Sequence, residues 1–430
     1  MMSKNVQPQT GTHPFREKKG RKDQVDQILA ANFLDYQPVS NISVVDKRSQ
    51  IRHEFRQQSY EVGNSPVTME LRMGGGDSFI YGPNSYLSFK LKVDQNTAGF
   101  GAGSALSLFR DAEMKSQNGN EIDRVEQVGL YANQHIKYTH DASYFTSGQA
   151  ELIGFDDTFN GLVATQDRTY IIPLKFILPI FGYPGLLPSS GLTAGSVIRL
   201  TLQDVTTALV ANGAVANYTI TDPRIVTDEL VLTDAFAKRL QLMSARSGPG
   251  LSITWESWYH QQERSAAGTV EVLMANSVSR ACRSFGLVRD APVAAATDSI
   301  TALSNPDTIE QYQFKLGNLR FPDQRCTDQE EHFANALIAF GSYDKEHGVG
   351  ANRAAYVNTA NGANPIDAGN RVVAASFERN HILSLSGISV NGNRLLRLNL
   401  NKDAQDHFVD LFMSYTKHAS IHLDTNLISS

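Results

Sequence analysis

The sequence predicts an all-β protein made of two antiparallel β-sandwiches in tandem, with short helices inserted and an N-terminal arm in front. Three observations predict it. Apolar and polar residues alternate with period two in both halves, turn signals of Gly, Pro and Asn break the alternation at short intervals, and 430 residues exceed what one hydrophobic core usually organises. The expected division is an arm at 1–50, a first sandwich at 51–245 and a second at 246–430.

The first 22 residues hold six basic side chains (Lys4, Arg16, Lys18, Lys19, Arg21, Lys22) against one acidic, Glu17, so the overall net charge of −5 leaves about −10 on the rest. With Pro8, Pro14 and no periodicity, this stretch reads as a polar arm. The cluster Arg16, Lys18, Lys19, Arg21 and Lys22 has two readings. One is a solvated tail; the other is an inward-facing arm that meets genome phosphates, anionic lipid or an acidic partner surface. Phe15 alone supplies no stacking platform, so sequence-specific nucleic-acid recognition is not expected. From Asp23, the residues Val25, Ile28, Leu29 and Phe33 recur at helical spacing, which predicts a short amphipathic helix before Pro38.

Leu87, Phe89, Leu91 and Val93 alternate with Ser88, Lys90 and Lys92, the pattern of a half-buried strand. Gly74-Gly75-Gly76 and Tyr81-Gly82-Pro83-Asn84 supply turns before it, and Asn118-Gly119 predicts a hairpin. Tyr170-Ile171-Ile172 and Phe176-Ile177-Leu178 are short apolar runs broken by Pro173 and Pro179, which predicts strand ends or edge strands. Val197, Ile198, Leu200 and Leu202 resume the alternation. Thr233 or Asp234 then caps a helix carrying Phe236, Leu240 and Met243, and Ser247-Gly248-Pro249-Gly250 ends it at the expected domain boundary.

Ile253 and Trp255, then Val270, Val272 and Met274, start the second half as strands. Asn391-Gly392, between Ile388-Ser389-Val390 and Leu396 to Leu400, predicts another hairpin. Thr327 with Glu330 reads as a capping box for a helix whose one face holds Phe333, Leu337 and Phe340. The strand Ile198-Arg199-Leu200-Thr201-Leu202 is echoed by Leu396-Arg397-Leu398-Asn399-Leu400, 198 residues later and about one half-length away.

Three segments resemble the double jelly-roll major capsid proteins of icosahedral double-stranded DNA viruses, in the style of polinton-like viruses, adintoviruses and virophages. They are Met69 to Ile80 followed by Ser85 to Val93, Ile172-Pro173-Leu174 through Leu187-Pro188 followed by Val197 to Leu202, and Ser386 to Leu400 followed by Val409 to Tyr415 and Ile421-His422-Leu423. The resemblance covers about residues 50 to 428. It implies two eight-stranded jelly rolls side by side, a homotrimer forming a pseudo-hexagonal capsomer, and a shell completed by penton and minor or cement proteins. The chain is shorter than many members of that family, so their surface tower loops are expected to be reduced here.

Chemistry is sparse. Gly74 to Gly76 and Gly99, Gly101, Gly103 lack the Lys-Ser/Thr of a phosphate loop and read as turns. His135 with His140 and Asp141, and His418 with His422, suggest no third metal ligand. Cys282 and Cys326 form no C-x-x-C pair and have no neighbouring His, so buried thiols are expected. His332, on the capped helix, reads as a solvated edge. Asp156-Asp157 reads as a loop or helix start. No G-x-S-x-G elbow exists, no run of eighteen apolar residues spans a membrane, and no secretory leader is evident. No catalytic residue, metal or cofactor is therefore expected. The alternative to a shell subunit is a soluble tandem sandwich binding carbohydrate or protein, its platform drawn from Trp255, Trp258, Tyr259 and Phe412, which otherwise read as core.

Overall fold

A computed structural model describes residues 44 to 429 except for interior stretches, of which 292–308 and 357–371 are the longest. The predicted arm helix and the boundary residues 247–250 lie outside the described residues.

Eight principal strands form the first half: β1 Val45–Glu54, β2 Thr68–Arg72, β3 Tyr86–Val93, β4 Phe109–Lys115, β5 Glu121–Glu126, β6 Arg168–Pro173, β7 Val197–Leu202 and β8 Tyr218–Leu232. One sheet runs β1-β8-β3-β6 and the other β2-β7-β4-β5, with antiparallel pairing throughout. First pairs with last and second with seventh, so the chain coils around the sandwich as a jelly roll. Ser59–Val62 continues β1 along the same edge of β8, whose other edge takes Phe79–Tyr81 beyond β3.

The second half repeats the plan. Its strands are β9 Leu251–Ser265, β10 Gly268–Met274, β11 Val278–Ala291, β12 Ile309–Leu316, β13 Leu319–Cys326, β14 Val373–Ser376, β15 Arg394–Leu400 and β16 Asp406–His422. The sheet orders are β9-β16-β11-β14 and β10-β15-β12-β13, the first half's orders displaced by eight. Ile388–Val390 and Leu427–Ser429 add short strands to β11 and β16.

Helix α1 (Val128–Thr139) joins β5 to β6, α2 (Asp234–Arg246) joins the halves, and α3 (Gln329–Ala339) joins β13 to β14. The two jelly rolls therefore carry a helix at the same point of their course. The Asn118-Gly119 hairpin forms as expected between β4 and β5, with Gly119 at φ 84°, a conformation that only glycine reaches without strain.

Four expectations are corrected. Strand β1 starts at Val45, ahead of the expected 51, and pairs with β8 from Leu232 to Arg224 with one irregularity between Val45 and Lys47. Asn391-Gly392 lies outside the described residues, but the strands it was expected to join are not partners: Ile388–Val390 pairs with β11 in one sheet, and β15 pairs with β10 and β12 in the other. Phe176-Ile177-Leu178 is not a strand, since the flanking prolines turn it into 3-10 segments at Leu174–Phe176 and Pro179–Gly182. Asp328, not Thr327, caps α3, its carboxylate accepting from the Glu330 N–H at 2.8 Å.

Core residues follow the alternation. Leu87, Phe89, Leu91 and Val93 are buried while Lys90 and Lys92 are exposed. One apolar cluster fills the first jelly roll and continues into Ile253, Trp255, Trp258, Phe285, Leu287, Phe340, Phe412, Ala419 and Ile421 of the second half; a separate cluster fills the second jelly roll around Val272, Tyr312, Phe314, Phe377 and Leu411.

Candidate functional site

The shared cluster makes the seam between the jelly rolls the most elaborated region of the molecule. Strand β16 shows how it arises. Val409, Leu411 and Met413 point into the second jelly roll's own core, while Phe412, with the opposite parity, belongs to the shared cluster. A sheet buried on both faces reads as a near-continuous apolar run, as residues 408 to 413 do apart from Asp410.

Aromatic rings cross the seam in an unbroken series. Phe412 stacks on Phe285 at 5.0 Å, Phe285 meets Trp258 at 5.4 Å and Phe340 at 5.3 Å, and from the first half Tyr131 reaches Trp258 at 4.8 Å while Tyr138 stacks on Phe340 at 4.9 Å. Tyr131 and Tyr138 stand on α1, and Phe340 ends α3, so the two inserted helices are the bodies that fill the seam. The chain after α3 then caps α1. Ser342 Oγ donates to the Tyr138 carbonyl at 2.6 Å, Ala351 N–H to Lys137 at 3.0 Å and Gly350 N–H to His140 at 3.2 Å, and Lys345 Nζ donates to Thr139. Carbonyls that a helix end leaves unpaired are satisfied by the other half of the chain.

Polar groups fix the register of the seam. Arg283 grips Glu256 with two bonds of 2.9 and 2.8 Å and lies 5.9 Å from the Trp258 ring. Asp123 of β5 is fully buried; its Oδ1 accepts from Ser257 Oγ of β9 at 2.6 Å and its Oδ2 from the Ile180 N–H at 3.0 Å. Burial pushes the Asp123 carboxyl up, against the pull of Lys417. Asp410, also fully buried, accepts from Arg289 Nε at 2.6 Å and Gln262 Nε2 at 2.8 Å, and His260 Nε2 lies at 2.8 Å; His260 Nδ1 is 3.9 Å from Glu126 of the first half. Burial would raise this carboxyl, but Arg289 and His260 outweigh it and hold it at about 2.

The sequence-selected candidates do not converge. Arg16, Lys18, Lys19, Arg21 and Lys22 lie outside the described residues, as do Asp156 and Asp157. His135 sits in the seam beside Tyr131, Trp258 and Phe340, its Nδ1 shielded from solvent, whereas His140 ends α1 and Asp141 approaches Lys345 at 3.7 Å. Desolvation drives the His135 pKa down to about 3. His418 is hydrogen-bonded near Ser252 and Ser420 on the exposed side of β16. His332 is buried, not solvated as expected: its Nε2 meets the Cys326 carbonyl at 3.1 Å and its ring packs on Tyr312, because α3 lies flat on the sheet there. Cys282 and Cys326 are buried free thiols, the latter pushed up to about 12 chiefly by burial. Gly101 approaches the Thr207 carbonyl so closely that a Cβ would stand 2.6 Å from it, and Gly103 turns with φ 101°, so this glycine set shapes a turn. Trp255, Trp258 and Phe412 are buried in the shared core, leaving only Tyr259 partly open, so the aromatic platform proposed for a glycan is not on the surface. No three His, Cys, Asp or Glu side chains are grouped to hold a metal among the described residues. The seam itself, with its buried charges, could not be picked from sequence; the one legible sign was an Asp inside the apolar run of β16.

No family model matches the chain, and no curated sequence does. Solved structures do. The chain is similar to PBCV-1 VP54, a structure fitted into a reconstruction of the virophage Sputnik, with TM-score 0.58, 11% identity and coverage of 92% of this chain and 98% of that one. The Faustovirus major capsid protein matches with TM-score 0.58 and 10% identity over 89% of this chain and 92% of that one, and the mavirus major capsid protein with 0.53 and 9% over 100% and 95%. Matched over 89–100% of its length by these structures, and built of two jelly rolls with one strand order and one helix position each, the chain has the double jelly-roll fold of viral major capsid proteins.

Proposed function

We propose that this chain is a major capsid protein that trimerises into pseudo-hexagonal capsomers and assembles an icosahedral virus shell, residing in the virion and catalysing nothing. The observation that carries the reading is the repetition of one strand order in two jelly rolls fixed side by side by a shared core. Three such chains present six similar barrels, so a threefold object fits a sixfold position of a closed lattice. An obligate contact of this kind buries on the order of 2,000 Å² or more.

In this reading the chain divides into an arm, a first jelly roll to about 245 and a second from 246. The arm residues Arg16, Lys18, Lys19, Arg21 and Lys22 face inward toward genome phosphates or an inner membrane. Neighbouring capsomers, penton proteins and minor or cement proteins are the remaining partners. A carbohydrate-binding role is disfavoured by the burial of Trp255, Trp258 and Phe412. The test is the mass of the purified protein in solution together with negative-stain microscopy. A trimer that forms hexagonal capsomers or particles is expected, and a persistent monomer under every assembly condition contradicts the proposal.

A further inference from the structure

Where β5, β9 and β16 meet, one amine and one carboxyl from opposite halves face each other in a nearly dry site. Asp123 is fully buried, and Lys417 Nζ, on a side chain 19% exposed, lies 3.8 Å from its Oδ1. The same Nζ donates to Glu121 Oε1 at 3.2 Å and to the Ile122 carbonyl at 3.4 Å. Glu121 and Asp123 are two apart on β5, which places both on the side that faces Lys417. Ser257 Oγ and the Ile180 N–H occupy the two carboxyl oxygens of Asp123, the placement of donors that stabilises negative charge developing on a carbonyl under attack. Tyr415 and Trp255 pack around Asp123 and Lys417, while Glu121 stands at the solvent rim of the group.

We propose that Lys417 and Asp123 condense to an intramolecular isopeptide bond, with Glu121 carrying the proton. The resting pair is an ammonium beside a carboxylate. Glu121 takes a proton from Nζ and passes it to Asp123, giving a neutral amine and a carboxylic acid with no net proton uptake. The Nζ lone pair attacks Cγ, the C–N bond forms, and the C–OH bond breaks. The proton lost by nitrogen returns through Glu121 to the departing hydroxyl, which leaves as water. No oxidant or other reactant is needed. The drive is physical: two desolvated charges vanish, one water is released, and the folded seam keeps the amine 3.8 Å from the carboxyl oxygen, which makes the reaction intramolecular. The upward push of burial on the Asp123 carboxyl favours its protonated form, while for Lys417 burial favours the neutral amine and the acidic neighbours, Asp123 first, outweigh it and hold the ammonium. The product is a covalent tie between the two jelly rolls, independent of any shell-forming role.

Intact mass spectrometry of the full-length chain under denaturing conditions tests it. The wild type is expected to weigh one water less than its sequence, with a proteolytic fragment in which the peptides bearing Asp123 and Lys417 are joined. Lys417→Arg keeps the positive charge yet cannot condense; it is expected to fold and to show the full mass. Glu121→Gln is expected to accumulate unlinked chain. A wild type of full sequence mass overturns the proposal, and so does a missing water that persists in Lys417→Arg or maps to another pair.

Discussion

At the residue scale the seam depends on charges held away from water, and their removal is expected to be costly. Asp410 is the partner of Arg289 and His260, so Asp410→Ala leaves a buried guanidinium without its carboxylate. A loss of about 3–5 kcal/mol is expected, read as a lower urea midpoint with an unchanged slope. Histidine titration gives a second expectation. His135 titrates near 6.5 when unfolded but at about 3 in the fold, so between these values the unfolded chain binds the extra proton. Its contribution is complete above pH 6.5 and is lost as pH falls toward 3, by at most about 1.4 kcal/mol per pH unit. His53 and His140 are also lowered by burial and act in the same direction. Asp410, lowered from 3.8 to about 2, loses its contribution as pH falls from 3.8 toward 2, so it overlaps only the acid end of that window. His135→Phe keeps an aromatic ring among Tyr131, Trp258 and Phe340 and is expected to make the fall in stability between pH 6.5 and 3 shallower. Equilibrium unfolding at stepped pH checks it, and an unchanged slope contradicts it.

At the element scale the seam is two helices pressed against one sheet, and Trp258 is its central contact. Trp258→Ala removes the surface on which Tyr131 and Phe285 rest and is expected to cost about 3–5 kcal/mol. Because that cluster continues from one jelly roll into the other, the loss is expected in a single calorimetric transition that moves down as a whole, not in a separate early one for either half. Elements were legible in the sequence where one face meets water. Strand β3 shows its lysines on the exposed face, β7 alternates cleanly, α2 has Asp234 in its first turn and α3 carries the Asp328 cap. Helix α1 was not legible. Its residues from Val128 to Gln134 are all buried, so no amphipathic stripe exists, and its N-cap, Gln127, sits in the left-handed region with no capping side chain to announce it. The Asn391-Gly392 signal failed for a different reason: turn chemistry specifies a local reversal, whereas which sheet receives the next strand is decided by distant partners, here β10 and β12.

At the scale of the whole molecule, the weakest sequence signal acquires a structural meaning. The echo between Ile198 to Leu202 and Leu396 to Leu400 falls on β7 and β15, the seventh strand of each jelly roll, each lying between the second and fourth strands of its sheet. Equivalent neighbours impose an equivalent apolar face, so the pattern survives at the same topological position while most of the surrounding sequence differs. The sheet starts only at Val45, so the basic cluster at Arg16 to Lys22 lies more than twenty residues ahead of the first strand. Deletion of residues 1–22 is therefore expected to leave folding and the trimer intact, since it removes none of the strands and seam residues described above, and to impair shell closure or attachment to the interior. Mass measurement of the truncated chain and microscopy of its assemblies separate the two effects. A truncated protein that no longer folds or trimerises places the arm inside the body of the capsomer, and one that closes shells as the full chain does leaves the positive charge without an inward role.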